Sequence, residues 1–478
     1  MSLSDHSFLK TKIVCTIGPA SSEPAMLEAL CSAGMNVARL NMSHSTQEET
    51  RNTARQIRAC SKRLGRQVAV LVDLQGPKIR VGGLPSPVVL RPGDRIALAP
   101  ATSAETGVIP VTYEGLAADL SAGDRVLIHD GRVEVRVLDV SRGRVEAEVI
   151  VGGEVRRGRG LNLPGVRVSA PALTDKDRAD VELARELGAE YVALSFVRSG
   201  DNLRELRDLV SEDVQVLAKI EKDQALQELE PILEASDAVM VARGDLGTEL
   251  PFEQVPLAQK RIVRRANARG RPVIIATEML DSMIERTRPT RAEVSDVANA
   301  ILDGADAVML SAETAIGRHP VEAVLALSRV IAEVESKTAP LVSGPPYDVP
   351  AGPEDSEPAS TELAVACATL EAVRAIRAPA IVTYTRSGFT ARVISSRRPP
   401  VPIVAVTDTE TVQRQLAMVW GVLPTLCSAA PSDEVMWETA RAELRRHRFA
   451  AAGDRVVVTA GVPFHVRGTT NMVRIQTL

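Results

Sequence analysis

Eight short runs of β-branched and apolar residues recur between helix-like stretches, and this repetition narrows the possible folds more than any other feature of the chain. Lys12 to Ile17, Val37 to Asn41 and Val68 to Asp73 come first; Tyr191 to Phe196, Val214 to Ile220, Ala238 to Ala242, Pro272 to Ala276 and Ala307 to Leu310 follow after a gap. Runs of this length read as buried strands, and eight β-then-α units predict a TIM (β/α)8 barrel. The runner-up is a doubly wound open sheet, which usually has fewer strands and often a glycine fingerprint after its first.

The gap has a character of its own. From about Gly82 to Arg167, helical periodicity gives way to short alternating segments, punctuated by Pro-Gly-Asp at 92–94, Ala-Gly-Asp at 122–124, Asp-Gly at 130–131 and Gly-Gly at 152–153. This predicts an inserted β domain, and an insertion after a barrel strand emerges at the C-terminal face, where it can serve as a lid. The barrel domain is therefore expected over 1–81 and 168–340, with the insert over 82–167. Pro340 to Pro358 carries six prolines and reads as a linker over 341–358. A helix-like segment at Ser360 to Ile376 and apolar runs at Ile381 to Tyr384, Ile403 to Val406 and Arg455 to Val458 predict a smaller α/β domain over 359–478.

A chain of 478 residues exceeds the roughly 250-residue limit of a single core, in keeping with several domains. Its formal charge of -4 argues against a nucleic acid as main partner, which would need an excess of Lys and Arg. The five cysteines form no CxxC pair, which suits a reducing compartment rather than zinc or dithiol chemistry. Without a secretory apolar core near the start or a run of about 18 uncharged apolar residues, a cytoplasmic protein with no membrane association is expected.

In a TIM barrel, polar residues at the C-terminal strand ends carry the chemistry. Here those ends read Arg39-Leu-Asn41-Met-Ser43-His44, Asp73 through Lys78 to Arg80, Lys219-Ile-Glu221, Arg243-Gly-Asp245, Thr277-Glu278 and Ser311-Ala-Glu313-Thr314. A period of two sends Arg39, Asn41 and Ser43 to one side, and likewise aims Lys219 and Glu221 together into a low-dielectric site. Glu221 with Asp245 suits Mg²⁺, which takes one or two carboxylates plus substrate oxygens. The alternative is a Lys to Glu ion pair that merely plugs the barrel. No GxxxxGK[ST] loop is present and Gly158-Arg-Gly160 lacks a third glycine, so Arg39, Arg80 and Lys219 are the candidates for phosphate recognition. His44 has an ordinary reading as a turn residue; His129, His319, His447 and His465 lack zinc spacing, and no GxSxG elbow supports a hydrolase.

In this order the strand-end segments resemble the pyruvate kinase family. The likeness rests on Thr11-Lys-Ile-Val-Cys-Thr-Ile-Gly-Pro19, Arg39 to His44, Asp73-Leu-Gln-Gly-Pro-Lys-Ile-Arg80, Asn162-Leu-Pro-Gly165, Lys219-Ile-Glu221, Met240-Val-Ala-Arg-Gly-Asp-Leu-Gly247, Thr277-Glu-Met-Leu280 and Arg288-Pro-Thr-Arg to Asn299. It continues more weakly through Tyr384-Thr-Arg-Ser-Gly-Phe-Thr390 and Trp420-Gly-Val. The resemblance implies a TIM barrel with a small inserted β-barrel lid, a C-terminal regulatory α/β domain and a homotetramer, with phosphoryl transfer from phosphoenolpyruvate to ADP giving pyruvate and ATP. It implies Lys219 as electrostatic stabiliser of the transferring phosphoryl group and the enolate oxygen, and Glu221 and Asp245 as holders of Mg²⁺ or Mn²⁺, with a second ion arriving with ADP. Arg39, Gly244, Asp245 and Thr277 would bind phosphoenolpyruvate, Thr277 lying near the path that protonates the enolate. Asn41, His44 and Arg80 would face the nucleotide. An effector loop of Thr385, Arg386, Ser387, Gly388 and Thr390 would take a phosphorylated allosteric ligand.

Several positions depart from the family pattern. Ser199 stands where many members carry a nucleotide-side lysine, Glu278 where glutamine is frequent, and Ala312 where glycine is frequent. Phe389 stands where some members carry Lys or Arg, against fructose bisphosphate as the activator. Lys78 occupies a position that is glutamate in K⁺-requiring members, beside a monovalent-cation pocket of Asn41, Ser43, Asp73 and the Leu74 carbonyl. Its ammonium carries the charge of K⁺ and is expected to balance Asp73 in the ion's place. Leu74, Gln75 and Val81 match the K⁺-independent subgroup, where the other shows Thr, Lys and Thr, so K⁺ is expected not to be required. Two other functions fit parts of the pattern. A barrel aldolase acting on an enolate would have no use for Arg80 under a lid, and a catalytically silent scaffold would not keep Lys219, Glu221, Asp245 and Thr277.

Overall fold

The computed structural model describes residues 8–102, 107–129, 131–338, 360–428, 432–462 and 470–478. The expected linker over 341–358, Asp130 of one turn signal and His465 lie outside the described residues.

The eight runs form one closed, all-parallel barrel in sequential order: Lys12–Ile17, Val37–Asn41, Ala69–Asp73, Tyr191–Leu194, Gln215–Ile220, Ala238–Ala242, Val273–Ala276 and Ala307–Leu310. Each is buried along almost its whole length, because helices cover the outside and side chains fill the inside. The interior holds Val14, Val37, Leu71, Tyr191, Leu217, Met240, Ile274 and Met309, a packed floor rather than a pore. Helix starts are fixed by side-chain caps: Thr46 with Glu49, Thr174 with Asp177 and Thr290 with Glu293 each satisfy two backbone donors reciprocally. Asp177 also accepts from the Gly76 amide at 3.0 Å, which ties the loop leaving the third strand to the helix Asp175–Glu186.

The insert is a six-stranded sheet, from Arg95–Pro100 to Leu161–Asn162, beside a two-stranded ribbon. Its two edges are joined by residues 80 and 81, through bridges from Arg80 to Gly160 and from Val81 to Val111, so it closes on itself irregularly. Arg80 is therefore hydrogen-bonded into the insert rather than into the barrel wall.

After the undescribed stretch, helix Thr361–Ile376 leads into a five-stranded sheet ordered Val422–Leu426, Ile403–Thr407, Ile381–Tyr384, Arg455–Ala460, Met472–Thr477, the last antiparallel. The two outer strands escape sequence reading because one contains Pro424 and the other is half exposed along its length, both habits of edge strands. This sheet docks under the barrel floor, opposite the strand ends that carry the charges. Tyr191 Oη donates to the Gln415 carbonyl at 2.7 Å, Lys12 Nζ to the Val422 carbonyl at 2.9 Å, and Arg398 pairs with Asp306 at 2.9 Å. No helix among the described residues is long and apolar enough to cross a membrane.

Candidate active site

At the C-terminal mouth of the barrel, Asp73 is the hub. Its Oδ2 takes Arg39 Nε at 2.7 Å and Nη2 at 2.6 Å, and its Oδ1 faces Lys219 Nζ at 3.3 Å. Arg39 reaches Thr16 Oγ1 at 2.9 Å with its remaining nitrogen. Lys219 Nζ also donates to Ser195 Oγ at 2.8 Å and lies 2.9 Å from Glu221 Oε1. The ammonium thus sits among three oxygens, hydrogen-bonded to Ser195 and ion-paired with both carboxylates.

Burial by itself would discharge these groups, yet the cluster keeps them charged. For Lys219, desolvation pulls the pKa down, but Asp73 and Glu221 outweigh it and the net shift is upward. Desolvation pushes Asp73 up, and Lys219 with Arg39 more than reverses that. Glu221 alone stays raised, first through burial and then with Asp245 opposing the help from Lys219. Its Oε2 accepts from the Phe196 amide at 2.6 Å, whereas the buried Oε1, despite the nearby ammonium, accepts no well-formed hydrogen bond among the described residues. Two carboxylates short of positive charge are a fit for a divalent cation. Among the described residues no cluster of three or more acidic, His or Cys ligands exists, so such an ion would complete its shell with substrate and water oxygens.

The sixth strand ends directly in a helix, Arg243–Glu249, which lifts Gly244 and Asp245 over the mouth. The Gly244 amide donates to Thr277 Oγ1 at 2.8 Å, and this hydroxyl donates to the Ala276 carbonyl at 2.6 Å. Lys219, Glu221, Asp245, Gly244, Thr277, Arg39 and Asp73 are thereby brought to one face of the barrel.

The residues expected to face a nucleotide form a second, cationic group. The His44 imidazole is held below its ordinary pKa, first by burial and then by Lys78, Arg80 and Arg39, so these charges converge on it. Arg80 donates to the Gly158 carbonyl at 3.0 Å and so travels with the insert. Asn41 Oδ1 accepts from the Ser43 amide at 3.1 Å.

One expectation needs correction. Lys78 does not balance Asp73: the Gly76 turn carries the chain into the cleft between insert and barrel, where Lys78 lines the wall with Phe196, Arg198, Lys222 and Asp245. Among the described residues no carboxylate lies within ion-pair distance of it, and the Leu74 carbonyl accepts instead from Ser195 Oγ at 2.8 Å. In the effector loop, Thr390 Oγ1 is engaged with Thr470 Oγ1 at 2.6 Å and Arg386 faces Asp408 at 3.6 Å, so not all of its groups are free. Ser195 and Thr16 contact this cluster and were missed by sequence reading; each is a small hydroxyl at or just beyond the C-terminal end of a barrel strand, the one signal available.

Comparison with known proteins agrees with this geometry. Residues 8–324 match the family model described as pyruvate kinase, barrel domain, and residues 363–476 the model of the pyruvate kinase alpha/beta domain. A pyruvate kinase of Agrobacterium vitis is 43% identical over 471 residues, covering 98% of both chains. One of Mycobacterium tuberculosis is 42% identical, over 97% of this chain and 98% of that protein. A crystal structure of a pyruvate kinase from Cryptosporidium parvum superposes with a TM-score of 0.89 at 34% identity, covering 98% of this chain and 96% of that one.

Proposed function

The chain belongs to the pyruvate kinase family, and on that premise we propose that the charged bowl around Lys219 is where it moves the phosphoryl group of phosphoenolpyruvate to ADP, giving pyruvate and ATP. The observation that carries this reading is the buried ammonium of Lys219, locked between Asp73 and Glu221 beside Asp245 and Thr277. Formation of pyruvate from phosphoenolpyruvate and ADP, followed by coupled oxidation of a nicotinamide cofactor, tests it. Turnover dependent on both substrates and on Mg²⁺ or Mn²⁺ is expected; its absence in folded protein overturns the reading.

Lys219 and Arg39 meet the phosphoryl oxygens, and because Asp73 already orients both, little reorganisation is needed as the phosphoryl group passes to ADP and negative charge develops on the enolate oxygen it leaves. Glu221 and Asp245 hold the divalent ion, which when bound supplies charge neutralisation at the phosphoryl and enolate oxygens. The Gly244 amide and Thr277 bracket the rest of the substrate, with the Thr277 hydroxyl on the side where the enolate carbon takes its proton. His44, Asn41 and Arg80 face the nucleotide. Since Arg80 is bonded into the insert, closure of the insert brings that charge onto ADP. Ser199 contributes no cation there.

Activity without K⁺ is part of the same reading and is argued below. Exposed apolar side chains at Phe252, Leu257 and Ile316, 85%, 69% and 64% accessible, support burial against further copies in a homotetramer. The cysteine pattern supports a cytoplasmic setting. The loop Thr385 to Thr390 takes a phosphorylated effector, and with Arg386 as its one cation and Phe389 beside it, a monophosphate of a sugar or nucleotide should activate better than a bisphosphate. Phosphoenolpyruvate saturation curves with each ligand measure this, and strong activation by fructose 1,6-bisphosphate alone refutes it.

A further inference from the structure

Thr277 and Glu278 are consecutive residues in the left-handed region, at φ +66° and +56°. Residues with a Cβ hold that conformation only where their surroundings over-determine it. One side chain bonds the carbonyls of both residues. Arg243 Nη2 donates to the Thr277 carbonyl at 2.7 Å and lies 3.3 Å from the Glu278 carbonyl. Its Nη1 is pinned by Asp296, 2.7 Å to Oδ1 and 2.6 Å to Oδ2, on the helix Arg291–Leu302. The Arg243 side chain is 11% exposed, and its guanidinium spans from that helix to the turn.

The placement follows from the sheet. The last rung between the sixth and seventh strands pairs Ala242 with Ala276, so Arg243 and Thr277 are the first residues beyond it on neighbouring strands. Consecutive residues of the sixth strand's turn therefore hold Thr277 at both ends: the guanidinium takes its carbonyl, and the Gly244 amide takes its hydroxyl. Asp245 follows immediately. A lysine at 243 would offer a point charge without the planar fork that joins Asp296 to the turn.

We propose, on the premise that Thr277 acts in enolate protonation as assigned above, that Arg243 is a positioning residue for that proton step. It holds the left-handed turn that aims the Thr277 hydroxyl, and it serves protonation more than phosphoryl transfer. In that step a proton is added to C3 of the enolate, the C3–H bond forms, and the C2 oxygen becomes a carbonyl as the enolate charge is lost. In reverse, the C3–H bond of pyruvate breaks, the proton passes to solvent and the electron pair returns to the enolate.

The reverse step can be read alone, as deuterium uptake at the pyruvate methyl group in D₂O with Mg²⁺ and inorganic phosphate, followed by proton NMR on the full-length protein. Thr277→Val tests the premise by itself: undiminished exchange sinks the Thr277 assignment, whatever Arg243 does. Given a loss there, Arg243→Met should lower exchange by at least about five-fold while the KM for phosphoenolpyruvate stays within about two-fold. Arg243→Lys should recover part of the loss. In the double variant Arg243→Met with Thr277→Val, exchange should be no slower than in Thr277→Val alone, because both changes remove one function. Additive losses, or wild-type exchange in folded Arg243→Met, overturn the proposal. Should that variant fail to fold, Asp296→Asn loosens the far end of the fork and must slow exchange in the same direction; unchanged exchange there overturns it equally.

Discussion

Lys219→Met lowers turnover by at least ~10²-fold, the scale for losing one preorganised donor at a site of developing charge. Methionine keeps much of the length and the apolar stem, so the barrel interior stays filled and the change falls on the charge alone. The ammonium it removes contacts Asp73, Glu221 and Ser195 and is aimed at the mouth before substrate arrives. Divalent-cation binding survives, because Lys219 is a competing cation beside Glu221 and its loss leaves that carboxylate shorter of positive charge. Three measurements check this: steady-state turnover, Mn²⁺ binding by electron paramagnetic resonance, and thermal unfolding. A folded variant that keeps more than about a tenth of wild-type turnover sinks the role given to Lys219.

The same cluster answers the alternative left open by spacing, a Lys to Glu pair that only plugs the barrel. A plug would balance its members, yet burial and the repulsion of Asp245 keep the Glu221 pKa raised in spite of its ion pair with Lys219. An excess of buried carboxylate over cation is costly in a merely structural role and is explained by a ligand.

What the sequence made legible followed from periodicity and charge. Buried parallel strands are near-continuous apolar runs, so all eight stand out, and a charge at the end of such a run is conspicuous; Arg39, Asp73, Lys219, Glu221 and Asp245 were found that way. Small hydroxyls are not conspicuous, because Thr and Ser occur in strands for ordinary reasons, and Thr16 and Ser195 passed unnoticed. Contacts between distant segments were also hidden. Nothing local to Arg80 says that its backbone bridges to Gly160, nor that the side chain of Arg243 crosses to the next strand to hold Thr277. Lys78 shows the opposite error, in which the resemblance placed its ammonium beside Asp73 and the Gly76 turn carries it into the cleft instead.

That correction changes how K⁺ independence is argued, and the outcome expected is near-full activity with a bulky quaternary ammonium as the only monovalent cation. Asp73 needs no added ion, since Arg39 and Lys219 already occupy its two oxygens. The role left for K⁺ would be to add positive charge on the nucleotide side of the mouth, and there Lys78 is expected to supply it, since after burial it heads the charges, with Arg80 and Arg39, that lower the His44 pKa. A fixed ammonium in a cleft partly shielded from water carries the same unit charge as the ion without a dissociation equilibrium. Lys78→Glu changes that charge by two units and should make activity rise about ten-fold or more on adding K⁺, which needs only about 1.4 kcal/mol of differential stabilisation. His44 provides a readout independent of turnover. Burial is the first cause of its lowered pKa and Lys78 the next, so the charge reversal should move the imidazole upward in an NMR titration while burial still holds it down. A wild-type enzyme stimulated about ten-fold by K⁺ would remove Lys78 from this role, and an unmoved His44 in Lys78→Glu would show that its charge does not reach the nucleotide side at all.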